Sequence, residues 1–168
     1  NYNVYYTGNT LTLNNLNLAN TGISVPGGTI IAVKGNNTID ASSASANNGG
    51  HAIQTSSVGT VTLEGDGVLL VKGFNQTIYC GYANSGIVIG GDIKLTVEHY
   101  GAASCIGTMG ERTGVEITGN AEVTLKPNER IITPSDDNSA IWVNDNGDIK
   151  ITGNAKVTAE GGFALNDF

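Results

Sequence analysis

Val115-Glu-Ile-Thr-Gly-Asn-Ala-Glu-Val-Thr-Leu125 holds the pattern on which the fold turns. Val115 and Ile117 alternate with polar residues, a Gly-Asn pair interrupts, and alternation resumes through Ala121, Val123 and Leu125. A period of two marks a half-buried strand, and Gly followed by Asn or Asp is turn chemistry. The first half of this pattern recurs. It reads Ile31-Ala-Val-Lys-Gly-Asn36, Val61-Thr-Leu-Glu-Gly-Asp66, Ile87-Val-Ile-Gly-Gly-Asp92 and Ile149-Lys-Ile-Thr-Gly-Asn154. Its glycines, Gly35, Gly65, Gly91, Gly119 and Gly153, are spaced by 30, 26, 28 and 34 residues.

A second marker runs in step. A small residue followed by an aliphatic one stands at Gly22-Ile23, Ala52-Ile53, Thr77-Ile78, Cys105-Ile106, Ala140-Ile141 and Ala164-Leu165. The first five aliphatics precede their glycine by 12 or 13 residues. A nearly constant offset inside a wandering period means one variable loop per repeat. Each repeat therefore reads strand, turn, strand, Gly-[Asp/Asn] turn, strand, variable loop. The opening segment Leu11-Thr-Leu-Asn-Asn-Leu-Asn-Leu18 is shorter and less regular, as the end repeat of a solenoid is.

Three short strands per repeat suit a parallel β-helix, in which no single coil buries its own apolar side and all coils share one core. A two-sheet sandwich is the competitor, but it has no reason to repeat chemistry at matching positions. Three inward columns are expected: Val33, Leu63, Ile89, Ile117, Ile151; Ile31, Val61, Ile87, Val115, Ile149; and Ile39, Leu69, Leu95, Val123, Val157. Between them, Lys94, Glu122 and Lys156 alternate in sign on an outer face beside Thr96, Thr124 and Thr158.

Composition agrees. The chain has 168 residues, enough for one domain, with 24 Gly, 20 Asn and 18 Thr; Ile and Val number 29 against 10 Leu. A net charge of −7 with 8 Lys+Arg speaks against nucleic acid, which needs a basic footprint. No apolar run reaches the roughly 18 residues of a membrane span, and no hydrophobic leader opens the sequence.

With these repeats, of which "HAIQTSSVGTVTLEGDGVLLVKG" and "VEITGNAEVTLKP" are typical, the chain resembles right-handed parallel β-helices of the pectin-lyase-like architecture. More narrowly it is similar to β-helix surface proteins of Gram-positive and gut bacteria, clostridial carbohydrate-binding β-helices among them. The resemblance covers essentially the whole chain. It implies an all-β, right-handed solenoid of about six coils with three short strands each. It also implies an extracellular or cell-surface setting, and one of several functions: polysaccharide binding, adhesion, or lyase or hydrolase activity.

The residues themselves nominate no catalytic set. Lyases of the resembled architecture place acidic residues for calcium beside a Lys or Arg base. Here Arg112 and Arg130 are both in loops, and Asp66 and Asp92 exchange with Asn36, Asn120 and Asn154 at the turn, which points to turn formation. Asn144-Asp-Asn-Gly-Asp148 looks ion-binding, but the segment Ser139 to Val143 holds it roughly 16 Å from Asp136 and Asp137, too far to share an ion. No metal or cofactor is expected. Cys80 has inward parity and Cys105 outward parity, so no disulfide is expected, with one thiol packed and the other half exposed.

The informative outward positions follow the second marker: Gln54, Tyr79, Gly107, Trp142 and Asn166. Tyr79 and Trp142 then share one face two coils apart, about 9.6 Å, with bare Gly107 between them. Two readings of this face stand: the variable loops fold over both rings, or the rings are exposed and at that spacing suit a sugar chain, with Gln54 and Asn166 as neutral hydrogen-bonding partners at either end. The leading expectation is a non-catalytic domain that contacts polysaccharide or host glycan through this face. A structural stalk or adhesin repeat with a protein partner is the alternative, and a polysaccharide lyase the second alternative. Residues 1–168 are expected to form a single β-helix domain cut from a longer surface protein or closed by a partner at its end. Tyr2, Tyr5 and Tyr6 would cover the first coil, and Phe163 and Phe168 would act as a partial lid.

Overall fold

The computed structural model describes residues 3–43, 47–128, 139–144, 146–160 and 163–167, with the backbone alone for 47–48 and 163–167. The protein is all-β, built as three sheets that the chain visits in rotation. The first sheet contains Thr10–Asn14, Ile30–Lys34, Thr60–Gly65, Gly86–Ile89, Gly114–Ile117 and Asp148–Ile151. The second contains Asn17–Ala19, Asn36–Ala41, Val68–Gly73, Lys94–His99, Glu122–Lys126 and Lys156–Ala159. The third contains Ile23–Val25, Ile53–Thr55, Ile78–Cys80, Ile106–Thr108, Ser139–Val143 and Phe163–Asp167. All these neighbours are parallel, a β-solenoid-like arrangement in which each circuit of the chain lies on the one before. No helix among the described residues is long and apolar enough to cross a membrane.

The alternation read from sequence becomes an inside and an outside. Leu63, Ile89 and Ile117 stack in register and are fully buried, as are Leu69, Leu95 and Val123 in the second sheet. The second marker forms an unbroken column of Ile23, Ile53, Ile78, Ile106, Ile141 and Leu165. The residue before it is also buried, at Ala52, Thr77, Cys105 and Ala140. Two consecutive residues turn inward at this corner, and only small ones leave room for it.

That corner corrects the reading of Cys105. Simple strand parity places its side chain outside, whereas Cys105 is fully buried, its thiol near the Val97 carbonyl, and burial pushes its pKa up to about 12. Cys80 is buried as well, and both thiols are free.

The glycine turns explain why five positions demand that residue. Gly91, Gly119 and Gly153 take φ of +70°, +70° and +66°, and a Cβ on Gly119 would lie 2.9 Å from the Gly91 carbonyl oxygen. Beside them the side chains form an amide ladder. The Asn120 Nδ2 donates to Asp92 Oδ1 at 2.7 Å, and the Asn154 Nδ2 donates to Asn120 Oδ1 at 3.1 Å. Asp and Asn exchange here because both accept this bond and both suit the turn.

One register differs from the expected columns. Ile31 lies on Leu63, Val33 on Gly65 and Ile39 on Val71, so the step between these circuits is two residues longer than the Gly35-to-Gly65 spacing suggests. The second glycine of Gly65-Asp66-Gly67 sits over Gly35, where a Cβ would meet the Gly35 carbonyl oxygen at 2.7 Å. The shift brings Asn37, rather than Ile39, under Leu69. Buried Asn37 is fully engaged: it accepts from the Leu16 amide at 2.9 Å and donates to the Lys34 carbonyl at 2.8 Å. A buried amide needs such partners, and the corner supplies them.

Charges run along the outside of the second sheet in two ladders. Lys94, Glu122 and Lys156 contact one another at 3.6 and 3.8 Å. Asp40, Lys72, Glu98 and Lys126 pair in register to form the other, with Lys72–Glu98 at 3.3 Å and Lys126–Glu160 at 3.4 Å. The first is largely exposed and contributes little stability, so its effect is on register, since a slip would part the opposite charges.

The ends differ. Val4–Thr7 pairs antiparallel with Thr10–Asn14 and closes that edge of the first sheet, so the strand does the covering while Tyr5 and Tyr6 stay about half exposed. At the other end Ile151 has inward parity but is 46% exposed, because no later strand lies over Asp148–Ile151 among the described residues. Tyr2 and Phe168 lie outside the described residues, as does the Phe163 side chain.

Candidate functional site

The outer side of the third sheet carries Tyr79 and Trp142. Ser24, Gln54, Tyr79, Gly107, Trp142 and Asn166 form one outward column, each pairing with the next. Gln54, Tyr79 and Trp142 are half-buried, while the Asn166 side chain lies outside the described residues. Tyr79 and Trp142 are thus two strands apart, with Gly107 between them.

The face holds more than the column. The His51 ring stacks on Tyr79, with centroids 4.6 Å apart and planes 12° from parallel. His51 comes from the loop that enters Ile53–Thr55, and its Nδ1 donates to the Gln76 carbonyl at 2.6 Å, which fixes the ring. Burial holds the His51 pKa below its ordinary value, so near neutral pH the stack is uncharged. Burial also raises the Tyr79 pKa, keeping the phenol protonated. That hydroxyl donates to the Met109 sulfur at 3.5 Å, and the Gln76 Nε2 approaches the same sulfur at 3.9 Å.

Gly107 is not open space. A Cβ there would meet the Gln76 Cγ at 2.5 Å, so the Gln76 side chain lies over the glycine. The position expected to be bare is instead covered by Gln76, which joins His51, Tyr79 and Met109 in one patch, and Trp142 lies on the strand beyond Gly107. Met109 is 48% exposed and Tyr82, on the adjoining turn, is 37% exposed with its hydroxyl donating to the Ser56 carbonyl. Met109 was accessible to sequence reasoning, because it shares outward parity with Gly107. His51 and Gln76 were not, since both sit in variable loops.

This surface is uncharged, apolar at its rings and thioether, and supplied with amide and hydroxyl groups. It offers stacking and neutral hydrogen bonds. Among the described residues no three His, Cys, Asp or Glu side chains come together. Asp136, Asp137 and Asp145 of the ion-binding expectation lie outside the described residues. Asn144 is engaged in the turn, its Nδ2 donating to the Met109 carbonyl at 3.0 Å. No family model, no curated protein and no solved structure matches the chain.

Proposed function

We propose that this chain is a non-catalytic binding domain of a bacterial secreted or cell-surface protein, contacting a neutral polysaccharide or glycan through the outer face of its third sheet. In this reading residues 1–168 form one domain, a right-handed parallel β-helix of about six coils. The observation that carries it is the placement of Trp142 and the stacked His51–Tyr79 pair at equivalent positions two strands apart. Strand spacing sets them at about 9.6 Å, of the order of a disaccharide repeat. Partly exposed rings with polar tips suit the apolar faces and hydroxyl rims of sugars. The net charge of −7 favours neutral chains over polyanions, so affinity depends little on salt. A glycan array followed by titration calorimetry with Trp142→Ala tests it. Loss of glycan affinity with the melting transition retained supports the reading, and an array without a single glycan bound above background refutes it.

A second reading, a stalk or adhesin repeat with a protein partner, is favoured by Ile151, inward in parity yet half exposed, beside Asp148–Ile151 and Lys156–Ala159, whose outer edges are unpaired among the described residues. Such edges pair readily with another strand. Sedimentation across a concentration series, with and without glycan, separates the two readings.

A further inference from the structure

Where the third sheet hands the chain to the first, a groove of about 370 Å³ opens on the outer side. Its floor is bare backbone. The column Thr60, Gly86, Gly114 and Asp148 crosses it in register, and the two central members carry no side chain. The backbones there lie close: a Cβ on Gly86 would come within 2.9 Å of the Gly114 carbonyl oxygen. The next outward column, Val88, Glu116 and Lys150, lines the same groove.

Arg112 stands on its rim, in the turn that precedes Gly114–Ile117, with φ of +55°. In the neighbouring circuits the equivalent places hold Asn84 at φ +53° and Asn146 at φ +60°. Asn enters the left-handed region readily, and a long side chain such as Arg does not. A turn that suits Asn on both sides thus carries a strained cation. Among the described residues no carboxylate pairs with the Arg112 guanidinium, whereas Lys150, the other cation of the groove, holds Asp148 at 3.0 Å. Strain kept at such a place points to what the side chain contacts rather than to the turn itself.

We propose that this groove binds a small monocarboxylate, held by the forked guanidinium of Arg112 over the Gly86–Gly114 floor. A guanidinium meets a planar carboxylate with two parallel hydrogen bonds, a geometry that ammonium does not match. Glu116 and Asp148 share the groove with a single lysine, so a polyanion is repelled and one carboxylate is the charge the site accommodates. The site is distinct from the aromatic face and does not depend on it.

The test couples binding to stability. Isotope-labelled protein is titrated by NMR with sodium N-acetylglycinate, with sodium D-glucuronate and with D-glucose as the neutral control, at constant ionic strength. Both carboxylates shift amides within 84–86, 112–116 and 146–150, and glucose leaves them in place. The tighter of the two acids distinguishes a peptide-type from a sugar-type source. In Arg112→Asn the carboxylate affinity falls at least tenfold while the melting temperature rises, because Asn relieves the left-handed strain. Absent shifts, an unchanged affinity in Arg112→Asn, or a lower melting temperature in that variant each overturn the proposal.

Discussion

Replacing Gly119 with alanine tests the stacking of the circuits at its narrowest point. Gly119 sits at φ +70°, where an L side chain costs roughly 1–2 kcal/mol. The new Cβ would also lie 2.9 Å from the Gly91 oxygen and 3.0 Å from the Gly91 nitrogen, both backbone atoms. The neighbour cannot retreat cheaply. Thr118 donates to the Ile89 carbonyl at 2.8 Å and Asn120 to the Gly91 carbonyl at 2.9 Å, one bond on each side of the clash. Weakening one of them adds about 0.5–1.5 kcal/mol. Alanine restricts the unfolded chain more than glycine does, which returns about 0.4–1 kcal/mol. The net expectation is a loss of about 0.5–3 kcal/mol, lowering the melting temperature by roughly 1–12 °C in a domain of this size. Circular dichroism melting with urea titration measures it. Gly119→Asn separates the two causes, because Asn tolerates the left-handed backbone but keeps the Cβ clash, so it should fall between glycine and alanine. A Gly119→Ala protein as stable as the parent would refute the close backbone stack.

Two further outcomes follow from the interior. Ile117 is fully buried between Ile89 and Ile151, so Ile117→Asp buries a charge without a partner and should abolish cooperative melting; a normal melt would show that the column is wrongly placed. His99 is nearly inaccessible, its Nε2 accepts from the Ala103 amide at 3.0 Å, and burial lowers its pKa to about 4. The unfolded chain therefore takes up the proton first, so this stability is complete above about pH 6.5 and is lost as pH falls toward 4, by roughly 2–3 kcal/mol. His51, also lowered, acts in the same direction. Denaturant titrations at stepped pH should show a slope that His99→Gln reduces; an unaltered slope would remove His99 from the account.

The third sheet was legible in the sequence because each circuit announces itself twice, by a small residue and by the aliphatic after it, and both face inward at one corner. The same corner hid Cys105, since strict alternation fails where two successive residues turn inward. The turn ladder was legible as the exchange of Asp92 with Asn120 and Asn154, in which Asp92 and Asn120 accept the bonds that Asn120 and Asn154 donate. The step across Gly35 and Gly65 was not. Gly65 and Gly67 both permit close backbone approach, and the observed register is the one in which the buried Asn37 Nδ2 also reaches the Val68 carbonyl of the next circuit, at 3.3 Å, a contact seen only in three dimensions. At the aromatic face, parity placed Tyr79 and Trp142 in one column. His51 and Gln76 reach that face from loops whose paths have no periodic signal, and Gln76 fills the space that Gly107 leaves.

Binding of glycan by the rings of the third-sheet face is tested most directly by titration calorimetry of Trp142→Ala against a glycan recovered from the array. Truncating a ring that anchors a ligand should weaken binding by more than about 1 kcal/mol, at least fivefold, while a half-buried outward side chain leaves the melting transition nearly unchanged. Unchanged affinity, or a fall in melting temperature with binding intact, would mean that Trp142 packs for the fold alone and that this face is not the binding site.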